Sequence, residues 1–422
     1  MAAPFQLSAY SAALKEVLLP YVQNNFPKKT ILLDQLQRSG KENYINDEFV
    51  FPLYNSRHGG VANLSTDAGS IVSAGGRTLT RGTVPVETIT GAFDITKLAV
   101  DASKSSQGAV EAALAAQSTT LMSDFMRHIN RQFYGDGIGV VSMVRVTGGS
   151  VGVGTIAVEA PDASLDDGRS IDWYGTINGD ISPTKYFAVD QIIGVGTGAA
   201  AVGTVTSVTG TSVVSGAPTA VATSANDSIY ILDGSGAGAG SAEFLGMRAA
   251  LSSTTGTSTY ASVARNVTGW TPQFGSASEA LTANRITNSY LAAKEFSEEN
   301  DLYALFMNKT LFQKYGDVLT AMRRTVNSLE LVGGWSGLAF EAGAGKAAVF
   351  LDYDVPDGEV LIVNLKSWTL CQVEAPNWME EPNTGALLRK QNTIQYQAVL
   401  VWFANLFCGA PGSNGRETRK SD

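Results

Sequence analysis

KSSQGAVEAALAAQSTTLMSDFMRHINRQFYGDGIG, residues 104–139, decides the reading of the fold. Val110, Leu114, Leu121, Phe125, Ile129 and Phe133 recur at steps of four and seven, which is one face of a helix. Met122 and Met126 widen the stripe, no proline interrupts it, and the GDG at 135–137 stops it. The spacing predicts a helix over 104–134, roughly 45 Å long at about 1.5 Å per residue. A helix of that length in a globular chain is a spine for other parts to pack on.

Upstream of the spine the texture is extended. FVFPLYN (49–55) is a strand signal broken by Pro52, which suits an edge. TVPVETITGAFDITKLAV (83–100) alternates apolar and polar residues with β-branched enrichment. Between them runs a stretch rich in Gly, Ser and Ala at 59–78, so the two strands are expected to form a long hairpin over 46–95. Such a hairpin has few residues for a core of its own and is expected to rest on a neighbouring molecule. Before it, residues 1–45 carry spaced apolar residues (Leu14, Val17, Leu18, Tyr21, Val22), then ILLDQLQRSG (31–40), read as a short helix ending at Gly40. This segment reads as an arm.

Downstream, short Val/Ile/Thr runs recur every 8–14 residues from 140 to about 235 with glycines between them. That spacing reads as a small all-β sandwich or barrel inserted at 140–243 and closed by the small-residue linker GSGAGAGSAE (234–243). Residues 244–370 have α/β texture, within a chain read as α+β overall. A helix is expected within 278–300, with Leu281, Ile286 and Leu291 on its apolar side. A strand and a helix follow in 302–322, and two strands flank a turn at Pro356, Asp357 and Gly358. YQAVLVWFANLFCG (396–409) reads as a strand buried on both faces, and the polar tail PGSNGRETRKSD (411–422) as loose.

Composition narrows the function. The 422 residues are 44% hydrophobic, enough for a sizeable core. Only 16% are charged, against about 25% in ordinary chains. So bland a surface suits a building block buried among its neighbours. The net charge of −9 offers no basic footprint for gripping nucleic acid. Two histidines, His58 and His128, leave little for metal or proton chemistry, and Cys371 and Cys408 have no disulfide or zinc spacing. GAGK (343–346) lacks the P-loop's first glycine and its hydroxyl after the lysine. DYDVPDG (352–358) puts Pro356 where a calcium loop needs a ligand. No catalytic, cofactor or metal site is expected. The opening residues lack a signal peptide's pattern, and no apolar run is long enough to span a membrane.

The order of parts resembles the major capsid proteins of tailed double-stranded DNA bacteriophages, the HK97-type fold. The helix end INRQFYGDGIG (129–139) resembles the family's aromatic–Gly–Asp–Gly closure of its spine helix, and DYDVPDGEVLIVNLKSW (352–368) its Pro-Asp-Gly turn and following strand. The resemblance implies an N-terminal arm (1–45), an extended loop (46–95), and a peripheral domain (96–139 and 371–422). It also implies an axial domain at 244–370, with 140–243 as an added domain. It implies self-association as hexamers and pentamers into an icosahedral shell in the virion, assembled in the host bacterial cytoplasm. The implied partners are a portal protein, a scaffolding protein, a possible decoration protein, and packaged DNA that is contacted weakly. Inter-subunit contacts are expected from Tyr21 and Phe26 in the arm and from Phe49, Phe51, Tyr54, Arg57, Arg77 and Arg81 in the hairpin. Rival readings are an encapsulin-like compartment shell, a carbohydrate-binding adhesive protein with Trp173 and Tyr174 as a sugar platform, and an α/β enzyme.

Overall fold

The computed structural model describes residues 31–39, 44–54, 75–97, 107–137, 139–144, 150–159, 191–196, 201–208, 212–222, 227–231, 243–252, 259–265, 269–275, 279–297, 302–321, 328–330, 336–342, 345–356, 358–380, 388–390, 393–418 and 420–421, with isolated positions at 58, 60, 61, 63, 73, 187 and 189. The arm residues Tyr21 and Phe26, the hairpin residue Arg57, and Trp173 and Tyr174 lie outside them.

The spine helix runs Gln107–Phe133, and its described apolar stripe (Met122, Phe125, Met126, Ile129, Phe133) is buried as the periodicity requires. It lies against the strand Glu87–Thr96 at Gly91, where a Cβ would stand 3.2 Å from Leu121 Cδ1 and 3.3 Å from Phe125 Cδ2. Glycine lets helix and strand approach.

That strand pairs antiparallel along its whole length with Gln395–Cys408, from Thr96 opposite Gln395 to Glu87 opposite Ala404. The long strand's other edge takes Trp368–Gln372, Asn377–Trp378 and Leu388–Arg389. With the short strand Gln37–Ser39 on Trp368–Gln372, this is a six-stranded sheet. Its core-facing row is Ala398, Leu400, Trp402, Ala404, Leu406 and Cys408, all buried. The other row begins half-exposed, with Phe403 at 42%, and becomes buried only from Asn405. The strand expected to be buried on both faces is so only over its last third. One end of its outer row is covered by the hairpin and the other is not.

A second, seven-stranded sheet has the order Gln273–Gly275, Gly415–Glu417, Val360–Asn364, Tyr303–Met307, Gly345–Leu351, Ser336–Ala342, Ser328–Glu330. The strand Tyr303–Met307 is buried on both faces and feeds two cores by simple alternation. Tyr303, Leu305 and Met307 meet helices Ala283–Lys294 and Lys309–Ala321. Ala304 and Phe306 face the core of the spine helix. The two strands either side of the 356–358 turn do not pair with each other; Tyr303–Met307 lies between them, parallel to one and antiparallel to the other.

The described strands between 140 and 231 form a closed six-stranded barrel, ordered Ser212–Ala222, Ser150–Glu159, Val140–Val144, Ser228–Ile231, Ile192–Val195, Ala201–Val208. Val141, Val144, Ile156, Ile193, Val195, Val205 and Ile229 fill its core. Closure removes free strand edges from a module poor in large side chains.

Three local expectations need correction. The 31–40 segment is helical only over Ile31–Gln35; Gln37–Ser39 instead adds as a parallel strand to Trp368–Gln372, where the sheet edge offers better backbone partners. On helix Ala283–Lys294 the inward stripe is Ile286, Tyr290 and Ala293, while Leu291 is 42% exposed because a step of five from Ile286 leaves the face. The tail is not loose. Pro411–Thr418 is buried, and Gly415–Glu417 is a strand of the seven-stranded sheet.

The chain leaves the spine at Gly135 and returns from the barrel at Glu243. There the Gly246 backbone touches the helix end: a Cβ on Gly246 would sit 2.3 Å from the Gln132 carbonyl oxygen and 2.6 Å from that of Gly135. Gly246→Ala should therefore lower stability by about 2–3 kcal/mol, since backbone rather than side chain must move. Gly316→Ala, mid-helix with open space around it, should raise stability by about 0.5–1 kcal/mol. Denaturant midpoints of the two variants, measured beside the unsubstituted chain, check both signs.

Candidate assembly surfaces

The hairpin is a three-stranded sheet, Tyr44–Ile45, Glu48–Tyr54 and Leu79–Pro85. Its first turn places Asn46 at φ 51° and Asp47 at φ 62°, a two-residue turn for which Asn and Asp are suited, and Tyr44 Oη donates to Asp47 Oδ1 at 2.7 Å. The strands then pair in register from Glu48 opposite Pro85 to Tyr54 opposite Leu79.

The base of this hairpin rests on its own chain, contrary to expectation. Phe49 and Val84 face each other and are wholly buried. Phe51 stacks on Phe407 of the long strand Gln395–Cys408, centroids 3.9 Å apart and planes 5° from parallel. A second support is the turn between strands Thr259–Tyr260 and Val263–Ala264: Thr83 N donates to the Ala261 carbonyl at 3.0 Å, and Thr83 Oγ1 lies 2.7 Å from Ser262 Oγ. The hairpin's described outer positions are uncovered. Leu79 is 60% exposed, Arg77 is exposed, and Arg81 stands at the surface 3.8 Å from Glu48, an ion pair of small energetic weight. The backbone of Tyr54 pairs with Leu79 at the last register position. Of the expected contact residues, Phe49 and Phe51 are thus engaged at home, whereas Arg77 and Arg81 are presented outward.

A second surface feature is the far corner of the six-stranded sheet. There Leu388–Arg389 and the start of the long strand make a small hairpin whose turn exposes Ile394 at 75%, with Lys390 Nζ 2.7 Å from Asp94 Oδ2 beside it. Met379, 53% exposed, and Phe403 add apolar area on the sheet's outer row.

The residues that carry potential chemistry are occupied structurally. Asp352 and Asp354 of the DYDVPDG turn both accept from Asn130 Nδ2, at 3.1 and 2.7 Å to their nearer oxygens, and Asp352 also accepts from Tyr134 Oη at 2.9 Å. Burial raises the Asp352 pKa against these bonds. Arg131 makes a two-pronged ion pair with Glu243, both buried. The strands bounding the GAGK loop pair antiparallel, Ala342 opposite Gly345 and Glu341 opposite Lys346, so the loop joins two strands and opens no helix. Cys371 and Cys408 are buried free thiols, each pushed by burial up to about 12, out of reach of thiolate chemistry. Among the described residues no helix is long and apolar enough to cross a membrane.

His128 is half-buried on the spine helix and accepts from Gln132 Nε2 at 2.7 Å. Desolvation, assisted by Arg131, lowers its pKa from 6.5 to about 3.

Among solved structures, the chain is similar to the capsid asymmetric unit of cyanophage A-1(L), at 13% identity over 93% of both chains with a TM-score of 0.51. It is also similar to the capsid of a native GTA particle, at 9% identity over 93% of this chain and 94% of that one with a TM-score of 0.43. The capsid of Myoviridae phage XM1 matches at 9% identity over 92% and 90% with a TM-score of 0.40. No protein-family model and no curated protein matches the sequence. The likeness to the cyanophage capsid spans nearly the whole chain and establishes the fold. It is the HK97-type capsid fold, α+β, with a hairpin, a spine helix, a six-stranded and a seven-stranded sheet and, in this chain, a barrel that follows the spine in sequence.

Two measurements follow from these surfaces. Phe51→Ala and Phe407→Ala should show a coupling of about 0.5–1.5 kcal/mol in a double-mutant cycle on unassembled subunits; additive losses would mean the hairpin base is not seated on its own chain. For His128, the folded state holds the ring neutral while the unfolded chain binds a proton near 6.5. The stability it contributes is complete above that pH and drains away as pH falls toward about 3. His128→Gln should therefore flatten the decline in melting temperature between neutral and mildly acid pH.

Proposed function

We propose that this chain is the major capsid protein of a tailed double-stranded DNA bacteriophage, a structural protein whose copies form the icosahedral shell of the virion as hexamers and pentamers. The observation that carries the reading is the likeness in fold, along 93% of both chains, to a cyanophage capsid subunit. The hairpin supports it. Its base is anchored by Phe49, Val84 and Phe51, while Arg77, Leu79 and Arg81 project from it without cover.

In this reading residues 1–45 are the arm, 46–95 the extended loop, 96–139 with most of 371–422 the peripheral domain, 140–243 the added barrel, and 244–370 the axial domain. The strand Gly415–Glu417 belongs with the axial sheet. Reaching contacts fall to Arg77 and Arg81, together with Tyr54 and Arg57 of the loop and Tyr21 and Phe26 of the arm. Phe49 and Phe51 set the angle at which the loop leaves its own subunit. Association is heterologous: one subunit's loop meets a different patch on the next, which closes rings by rotation. Many small contacts per subunit then sum to a stable shell. The net charge of −9 suits a container that must release DNA, because phosphate contacts dominate protein–DNA affinity. A portal at one vertex, a scaffold during assembly in the host cytoplasm and a decoration protein outside complete the set of partners. No catalytic role is assigned to any residue.

The test is the mass and shape of the purified protein, by light scattering and negative-stain electron microscopy. Rings or closed shells of megadalton size are the expected result, with DNA as their content in infected cells. Shells loaded with enzyme and free of DNA would make it a compartment protein. A protein that stays monomeric with its scaffold supplied would end the capsid reading.

A further inference from the structure

Two tight turns in this structure share one backbone geometry and are built from unlike residues. The turn at the foot of the hairpin holds Asn46 and Asp47 at φ 51° and 62°. The turn between strands Thr259–Tyr260 and Val263–Ala264 holds Ala261 and Ser262 at φ 50° and 64°. Both are two-residue connections that require a left-handed backbone at each central position. Asn and Asp accept that conformation, whereas in Ala and Ser the Cβ crowds the following carbonyl. Local preference accounts for the first turn. The second is imposed by its surroundings.

Buried groups hold it from behind. The Tyr260 hydroxyl accepts from Cys408 N at 2.9 Å, and its ring centroid lies 5.9 Å from that of Trp270. Arg265, 2% exposed, sits 5.5 Å over the Tyr260 ring. Its Nη1 donates to the Ala250 carbonyl at 2.7 Å and its Nη2 to that of Ala249. Those carbonyls belong to the short helix Met247–Ala250, on the segment by which the chain returns from the barrel. The turn is thus fixed to the end of the long strand and to that helix before it meets the hairpin.

The hairpin meets it at Thr83. This residue lies opposite Val50, on the outermost strand of the three-stranded sheet. Its N–H goes to the Ala261 carbonyl at 3.0 Å and its Oγ1 stands 2.7 Å from Ser262 Oγ. One hairpin residue therefore engages both of the left-handed residues. A ring stack such as Phe51 on Phe407 seats the root of the hairpin at one point and resists sliding within the plane of the rings only weakly. A second point of contact, on a different part of the frame, sets an angle.

We propose that the Ala261–Ser262 turn is a stop that fixes the lean of the hairpin, with Thr83 as the residue that bears on it. The backbone strain is the mark of a turn positioned by its anchors rather than by its own sequence, which is what a stop requires. That the lean aims Arg77 and Arg81 at a neighbouring subunit rests on the capsid reading; the stop itself does not.

The test uses the full-length unassembled subunit with spin labels on Leu79→Cys in the hairpin and Ile394→Cys at the far corner of the six-stranded sheet, both exposed positions. Cys371 and Cys408 are buried and stay unlabelled. The label-to-label distances, read by pulsed electron paramagnetic resonance, should form one narrow peak. Thr83→Val and Ser262→Ala, which each remove one hydroxyl, should widen it about twofold. An unchanged distribution in both variants would overturn the stop. The strain is read separately. In the Thr83→Val background, Ser262→Gly should raise the folded-to-unfolded ratio about fivefold, because glycine adopts the left-handed angle freely and the deleted hydroxyl no longer has its partner. A lower ratio, the usual result of placing glycine at an unstrained position, would overturn the imposed turn. Subunits that give the expected distances and ratio yet never form particles would tell against the capsid reading and leave the stop standing.

Discussion

Everything else in this structure is placed by what happens in the last two turns of the spine helix. Asn130 and Tyr134 reach the aspartates after the strand Gly345–Leu351, and Arg131 reaches Glu243, where the chain returns from the barrel. Two stretches of sequence, one more than 100 and the other more than 200 residues further on, are thereby fixed to one helix end. These groups are buried, so each unmade bond would carry a desolvation cost of about 1–3 kcal/mol. The junction therefore tolerates one arrangement, and the six- and seven-stranded sheets take their relative positions from it. Aromatic packing around it, Phe133 on Phe244 and Phe244 on Trp402, extends the constraint into the core under the six-stranded sheet.

The long strand Gln395–Cys408 plays the complementary part. It carries the hairpin's continuation on one edge and three short strands on the other, and its two rows of side chains serve different masters. Trp402 and Leu400 close the core over the spine helix, while Phe407 receives Phe51 from the hairpin. A change in how the hairpin leans must therefore be felt at a strand that also supports the spine.

Much of the fold was legible in the sequence because local patterns were strong. The four- and seven-step stripe marked the spine, glycine-spaced Val/Ile/Thr runs marked a small β module, and the capsid resemblance lay in the order of such parts. What escaped was decided by tertiary contact. Leu291 looks like a core residue until Tyr290 takes the inward face. PGSNGRET reads as a solvated tail because no apolar residue announces its burial; its buried state depends on Glu359 and Asn364, about 50 residues earlier. Phe49 and Phe51 were marked for contact with a neighbour by their apolar character, yet that character alone does not say whose surface they meet. Arg77 and Arg81 were marked for the same kind of contact, and both are exposed.

The meeting of Gly135 and Gly246 has one more consequence. Arg248 N donates to the Gly135 carbonyl at 3.1 Å, so the points where the chain departs for the barrel and comes back are neighbours. Topologically the stretch between 140 and 242 is then a loop, however large, with Glu243 staying with the frame, and the closed barrel needs nothing from the sheets to satisfy its own strand edges. The spine corner works as a socket. A lineage could exchange the barrel for another module, or for a short turn, without disturbing the frame beneath, and the same socket would accept a foreign domain grafted by hand.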